Sequence, residues 1–277
     1  MSTLKFVDVR PEGLSSMAKY LEFFSRKKSL SWIVEHHAVF SFEIMQGASA
    51  VKIAPALSEE ILSQLRVLPT QVRTSQVLDS FFPEEGGWYP RLLLHESIRT
   101  VLVQEARDLD IRAPAFVVGE GKESRVAAGV LAEMGISEIY LVGDPGVLEP
   151  QRQILSRQQL GIRFHILNPE DLTLQAVSAG IVINTMDLRD NKSLLTDLSY
   201  FNFMKRAGYA LDLNLFPVEN LLLEEAERAD LKVLHPVLVA EAYTRLWFQR
   251  IGFGDDISNE EIRGIWNEFL KENSSSV

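Results

Sequence analysis

The chain has 277 residues, 46% of them hydrophobic, and a formal net charge of −10. On a prior of about 100–200 residues per domain, that length makes one large or two modest domains with ample core material. The acidic balance argues against a nucleic-acid or anionic-membrane surface, and the absence of cysteine excludes disulfides and thiolate metal sites.

No apolar run approaches the ~18 residues of a membrane span, and the start, MSTLKFVDVRPEG, has no apolar signal core. A soluble, cytoplasmic protein is therefore expected. In chain order, residues 4–9 read as a short strand, 11–13 as a turn and 14–24 as a helix. Arg26, Lys27 and Lys28 follow, where cations suit the helix dipole. Strands at 32–34 and 38–44, the second alternating imperfectly, flank His36 and His37. Adjacent strand residues point to opposite faces, so these histidines make a poor chelating pair and no metal site is expected.

Residues 51–55 form a brief extended segment ended by Pro55. Ser58-Glu59-Glu60 opens a helix to about residue 68, with an N-cap and an acidic first turn. An edge strand is expected at 74–82, a breaker-rich turn at 83–87, an extended segment at 91–94, and a helix at 98–109.

The stretch 115–144, AFVVGEGKESRVAAGVLAEMGISEIYLVGD, organises the rest. An apolar run at 115–118 enters a tight glycine pair, Gly119 and Gly121. A helical pattern runs to Met134 and stops at Gly135, and a second apolar run at 139–142 ends on Asp144. This strand–turn–helix–strand order suits a dinucleotide site. Gly119 permits the sharp turn, and Gly121 leaves room for a pyrophosphate beside the helix-start N–H groups. Ser124 stands at the third glycine position and is small enough for close packing. Asp144 is placed to accept hydrogen bonds from an adenosine ribose, or else closes a turn with Pro145 and Gly146.

After Asp144 the pattern predicts a helix at 149–159, a strand at 162–167, a short helix at 172–178 and a strand at 181–183. A helix at 194–207 carries an aromatic stripe, Tyr200, Phe201 and Phe203, that reads as core. A strand at 210–213, a helix at 219–229, a strand at 232–234 and two helices at 237–251 and 258–271 follow, with a polar, Ser-rich tail expected to fray. Alternating strand and helix from 115 to 234 implies a parallel, doubly wound sheet of the Rossmann-like α/β class.

Taken together, the central segment and the C-terminal third resemble the shikimate dehydrogenase family over about residues 92–252. Gly119-Glu120-Gly121-Lys122-Glu123-Ser124-Arg125 is similar to its glycine-rich loop, and Ile183-Asn184-Thr185 to its Asn-containing strand end near the nicotinamide. Asp212-Leu213-Asn214-Leu215-Phe216-Pro217 is similar to its Asp-x-x-Tyr-x-Pro signature.

The resemblance implies a smaller N-terminal α/β substrate domain at 1–97, a nucleotide domain at 98–235, and C-terminal helices at 236–277 that return to the first domain. It implies hydride transfer between a nicotinamide and a small hydroxylated ring acid, in a monomer or homodimer. Lys122, Arg125, Asn184, Thr185 and Leu238 then join Gly119, Gly121, Ser124 and Asp144 as cofactor contacts.

The departures are as informative. Lys122 replaces a loop glycine, and Asp144 stands where NADP-using members carry Arg, which favours NAD over NADP. The family's Lys–Asp pair falls on Leu57 and on His95-Glu96-Ser97, so Lys52 and Glu96 are the nearest candidates for that chemistry. Leu215 replaces the substrate-contacting Tyr, and the Gln of the last helix is lost at Ala242. A catalytically inactive nucleotide-binding or regulatory protein on the same scaffold is therefore the alternative, and a partner-binding protein with a vestigial loop a third.

Overall fold

A computed structural model describes residues 3–189, 191–254 and 257–274. The expected fraying tail, at 275–277, lies outside them. The chain divides into two compact units, 1–97 with 240–277, and 98–239.

In the first unit, β1 (Lys5–Val9), β2 (Ile33–His37), β3 (Ala50–Ile53), β4 (Ser80–Glu84) and β5 (Gly87–Arg91) form one sheet in the order β2-β1-β3-β4-β5. β1 runs parallel to β2 and β3, whereas β4 and β5 are antiparallel. Helices α1 (Ser16–Lys27), α2 (Ser58–Leu62) and α3 (Thr70–Ser75) belong wholly to this unit. α1 starts where the Ser15 hydroxyl accepts the Ala18 N–H at 3.1 Å.

Both terminal helices, α9 (Pro236–Arg250, from residue 240 on) and α10 (Asn259–Asn273), pack here through aromatic rings. Tyr20 stacks on Trp266 at 3.9 Å between centroids, and Trp247 meets Phe6 and Phe82. Offset and edge contacts of this kind add about 0.5–1.5 kcal/mol each beyond area burial.

The second unit holds a six-stranded sheet, all parallel, in the order β11-β10-β9-β6-β7-β8. Its strands are β6 (Ala115–Val118), β7 (Glu138–Val142), β8 (Arg163–Leu167), β9 (Ala179–Asn184), β10 (Met204–Asp212) and β11 (Lys232–Leu234). α4 (Leu93–Glu105) enters this unit at residue 98, and α5 (Lys122–Glu133), α6 (Pro145–Gln158), α7 (Lys192–Ser199) and α8 (Leu221–Arg228) cover the sheet. α5 packs with α6, and α7 with α8; right-handed crossovers put the two pairs on opposite faces. Strand order reverses between β6 and β9, the place where open α/β sheets bind ligands.

Several local expectations are corrected. The alternating residues 38–44 form no strand. A 3-10 turn occupies Phe42–Met45, because Phe40 stacks on Phe81 and holds Phe42 edge-on, anchoring a turn rather than a ladder. Residues 74–82 are not an edge strand: α3 ends at Ser75, Gln76 is left-handed, and β4 lies between β3 and β5. Residues 93–97 are helical instead of extended or looped. The buried Asp79 carboxylate accepts the Leu93 and Leu94 N–H groups at 3.0 and 2.7 Å, capping α4 from a distant strand end.

The helix expected at 58–68 ends at Leu62, and that at 172–178 is a 3-10 turn, Pro169–Leu174. The helix expected at 194–207 ends at Ser199, because Phe201 takes a positive φ and β10 begins at Met204. Phe201 and Phe203 are core, but Tyr200 is exposed.

Candidate functional site

In the second unit the glycine loop leaves the sheet at the order reversal. The Gly119 N–H donates to the Val142 carbonyl at 3.0 Å, while the Val118 carbonyl accepts both the Thr185 N–H and its hydroxyl at 2.9 Å. The loop is thus pinned between β7 and β9. Gly119 has φ +128°, and a Cβ there would lie 2.2 Å from Thr185 Oγ1. Only glycine satisfies both constraints.

Gly121 is the N-cap of α5 and, having no side chain, leaves the first-turn N–H groups uncapped by it. Ser124 is buried and donates from Oγ to the Gly121 carbonyl at 2.7 Å, which tightens the turn. Lys122 is half-buried in the first turn, and Arg125 is buried one residue beyond Ser124.

Three carboxylates surround the loop. Glu123 folds back, its Oε2 standing 2.7 Å from where a Gly121 Cβ would be. Asp144 is the N-cap of α6, and its Oδ1 accepts from Gly146 N at 2.7 Å and Val147 N at 3.2 Å. Glu120 reaches across to the end of β7, where its Oε1 accepts the Asp144 N–H at 2.7 Å. Gln151, from α6, donates to the Glu120 carbonyl.

Asn184 closes β9 and donates to the Met186 carbonyl at 2.8 Å and to Asp212 Oδ2 at 3.0 Å. Asp212 is buried at the end of β10 and also accepts from Asn214 N, Asn214 Nδ2 and Asn220 Nδ2 at 2.8, 2.7 and 3.0 Å. This carboxylate knits the segments after β9 and β10 into one wall. A cavity of about 440 Å³ opens beside it, lined by Met186, Leu188, Leu195, Phe216, Pro217 and Leu222 among others. Leu238 lies half-buried in the first turn of α9, its N–H donating to the His235 carbonyl at 3.0 Å.

In the first unit, strand register sets Lys52 between Asp8 and Ser80 on one face of the sheet. Asp8 is 2% exposed and accepts from Ser15 N and Oγ at 2.6 and 2.9 Å. Lys52 Nζ donates to the Ile53 carbonyl at 3.2 Å and the Asp79 carbonyl at 3.5 Å, and lies 5.3 Å from the Tyr243 ring centroid. Burial, aided by the Asp79 charge, holds the Tyr243 phenol protonated well above the ordinary phenol range. Glu96, in the first turn of α4, faces Arg250 at 3.5 Å, and Arg250 also approaches Glu84 and the Phe82 ring.

Sequence reading missed Glu120, Asp8, Ser80 and Tyr243. An acid inside the apolar strand at Asp8 was a signal; for Glu120 and Tyr243 the spacing carried none. His36 and His37 share β2, with His36 Nε2 3.0 Å from the Arg10 carbonyl and His37 Nε2 3.6 Å from Glu35. Among the described residues, no three His, Asp or Glu side chains are grouped to hold a metal ion, and no helix is long and apolar enough to cross a membrane.

No protein-family model matches the sequence, and no curated protein matches it. Solved structures do. Shikimate 5-dehydrogenase from Thermus thermophilus, in complex with NADP(H) and shikimate, is 17% identical over 96% of this chain and 100% of that one, with a TM-score of 0.72. Quinate dehydrogenase from Corynebacterium glutamicum, in complex with NAD, is 9% identical over 96% and 100%, with a TM-score of 0.77. A shikimate 5-dehydrogenase-like protein is 12% identical over 97% of each chain, with a TM-score of 0.70. The likeness to these structures is one of architecture, the fold of the shikimate dehydrogenases.

Proposed function

We propose that this chain is a nicotinamide-dinucleotide-dependent oxidoreductase acting on a small hydroxylated ring acid. The observation that carries the reading is the glycine loop between β6 and α5. It lies at the reversal of strand order, with Gly119 held where no side chain fits and Gly121 opening a helix start. The neighbours solved with NADP(H) and shikimate, and with NAD, support it.

In this reading Gly119, Gly121, Lys122, Ser124 and Arg125 form or support the pyrophosphate cradle. Asn184, Thr185 and Leu238 border the nicotinamide, and Asp144 sets the start of α6 near the ribose. Lys52 would give and take the proton as the nicotinamide exchanges hydride with the ring carbon, and Glu96 would tune the charge around it. The carboxylates about the loop favour NAD, with NADP as the weaker ligand.

A second reading, a nucleotide-binding or regulatory protein without catalysis, has its own support. Lys52 engages backbone carbonyls and Glu96 faces Arg250, so each candidate has a structural partner. Incubating the purified protein with shikimate or quinate and either dinucleotide, while following nicotinamide absorbance, separates the two. Turnover supports the enzyme. Saturable dinucleotide binding without turnover on these acids and close relatives contradicts it and favours the second reading.

A further inference from the structure

Resting on the dinucleotide reading above, we propose that Glu120, rather than Asp144, is the residue that selects NAD over NADP. A nucleotide whose pyrophosphate sits at a glycine loop places its adenosine ribose over the end of the next strand, here β7 at Gly143 and Asp144. A carboxylate there accepts the ribose hydroxyls and repels a 2′-phosphate.

Asp144 occupies the expected sequence position, but its Oδ1 accepts the Gly146 and Val147 N–H groups and holds the carboxylate on the first turn of α6. Glu120 has come across from the glycine loop to take the place. Its Oε1 accepts the Asp144 N–H at 2.7 Å. Its Cγ stands 2.7 Å from where a Cβ on Gly143 would be, so the glutamate stem fills the space left open by that glycine. The Glu120 carbonyl is held by Gln151 from α6, which fixes the backbone from which the side chain reaches. Glu120 is exposed, so a ligand can meet it from solvent.

Charge at this point discriminates strongly. A 2′-phosphate brings up to two negative charges within a few ångströms of the carboxylate, whereas a ribose diol offers it two donors.

The substitution Glu120→Gln tests this cleanly, since the amide oxygen still accepts the Asp144 N–H and only the charge is lost. Fluorescence titration with NADH and NADPH would be run on the wild type, Glu120→Gln and Asp144→Asn. Asparagine is a good N-cap, so the last variant retains the start of α6. The wild type is expected to bind NADH more tightly. Glu120→Gln should shift the NADH-to-NADPH affinity ratio toward NADPH by about tenfold or more, about 1.4 kcal/mol per decade. Asp144→Asn should leave that ratio within about twofold.

An unchanged ratio in Glu120→Gln overturns the assignment, as does a shift appearing in Asp144→Asn instead. A wild type that prefers NADPH overturns it too. A wild type that binds neither dinucleotide removes the underlying reading as well, so the two failures are told apart by the first titration alone.

Discussion

Replacing Gly119 by alanine probes the joint between fold and site most sharply. Two costs add. The backbone at φ +128° lies where an L side chain is strained, at about 1–3 kcal/mol. The new Cβ would lie 2.2 Å from Thr185 Oγ1, which cannot retreat without breaking its 2.9 Å bond to the Val118 carbonyl. Overpacking of that kind costs about 1–3 kcal/mol more. Urea denaturation should therefore show Gly119→Ala losing about 2–6 kcal/mol, the sum of the two. Thr185→Ala alone should lose about 1 kcal/mol, for one hydrogen bond.

The double variant separates the costs. Removing Oγ1 removes the clash but not the strain, so in the Thr185→Ala background the Gly119→Ala penalty should fall by about 1–3 kcal/mol. Equal penalties in both backgrounds would show that Thr185 does not confine the loop, and the reasoning about the close approach would be wrong.

Gly121→Val should behave differently. Its φ is ordinary and a Cβ meets only the flexible end of Glu123, so stability should change little while dinucleotide affinity drops at least tenfold; unchanged affinity in a titration refutes the cradle. Asp212→Ala should lower stability by about 3 kcal/mol or more, because four donors from Asn184, Asn214 and Asn220 lose their charged acceptor. A melting temperature like that of the wild type would contradict that role.

A pH dependence is also expected. Hydrogen bonds from Lys232 and then Tyr209 hold the Asp108 carboxyl at about 2, below an ordinary aspartate near ~3.9. Its contribution to stability is thus complete above the ordinary value and is lost as pH falls through about 2. The difference in denaturation midpoint between wild type and Asp108→Asn should be constant above about pH 5 and shrink toward pH 2. A difference that grows on acidification would reverse the sign and refute the pairing.

Where periodicity is strong and local, the sequence was sufficient. Residues 115–142 show a buried strand, a helix with a glycine stop and a second strand, each set by neighbours a few positions away. Segments ordered by distant partners were opaque. Asp79 starts α4 fourteen residues downstream, and Phe81 pins Phe40 just ahead of the 3-10 turn; neither is visible in a window of ten residues. The same limit governed the site. Gly119 and Gly121 announce themselves by spacing, whereas Glu120 reaches the end of β7 only because β6 and β7 are adjacent and Gly143 leaves a space beside them. Motif spacing counts residues along the chain and left Asp144 either as a ribose carboxylate or as a turn closer; the hydrogen bonds of its Oδ1 to Gly146 and Val147 are set by the helix that it caps. Lys52 and Glu96 were proposed by offset from a resemblance, and each proves to have contacts of its own.

In the function proposed above, the loop at Gly119 and Gly121 binds a nicotinamide dinucleotide. Calorimetric titration of NADH into the purified protein, with Gly121→Val alongside, tests it most directly. Saturable one-to-one binding by the wild type that the variant loses is the predicted result. Absence of binding to the wild type, or equal binding by both proteins, would contradict it.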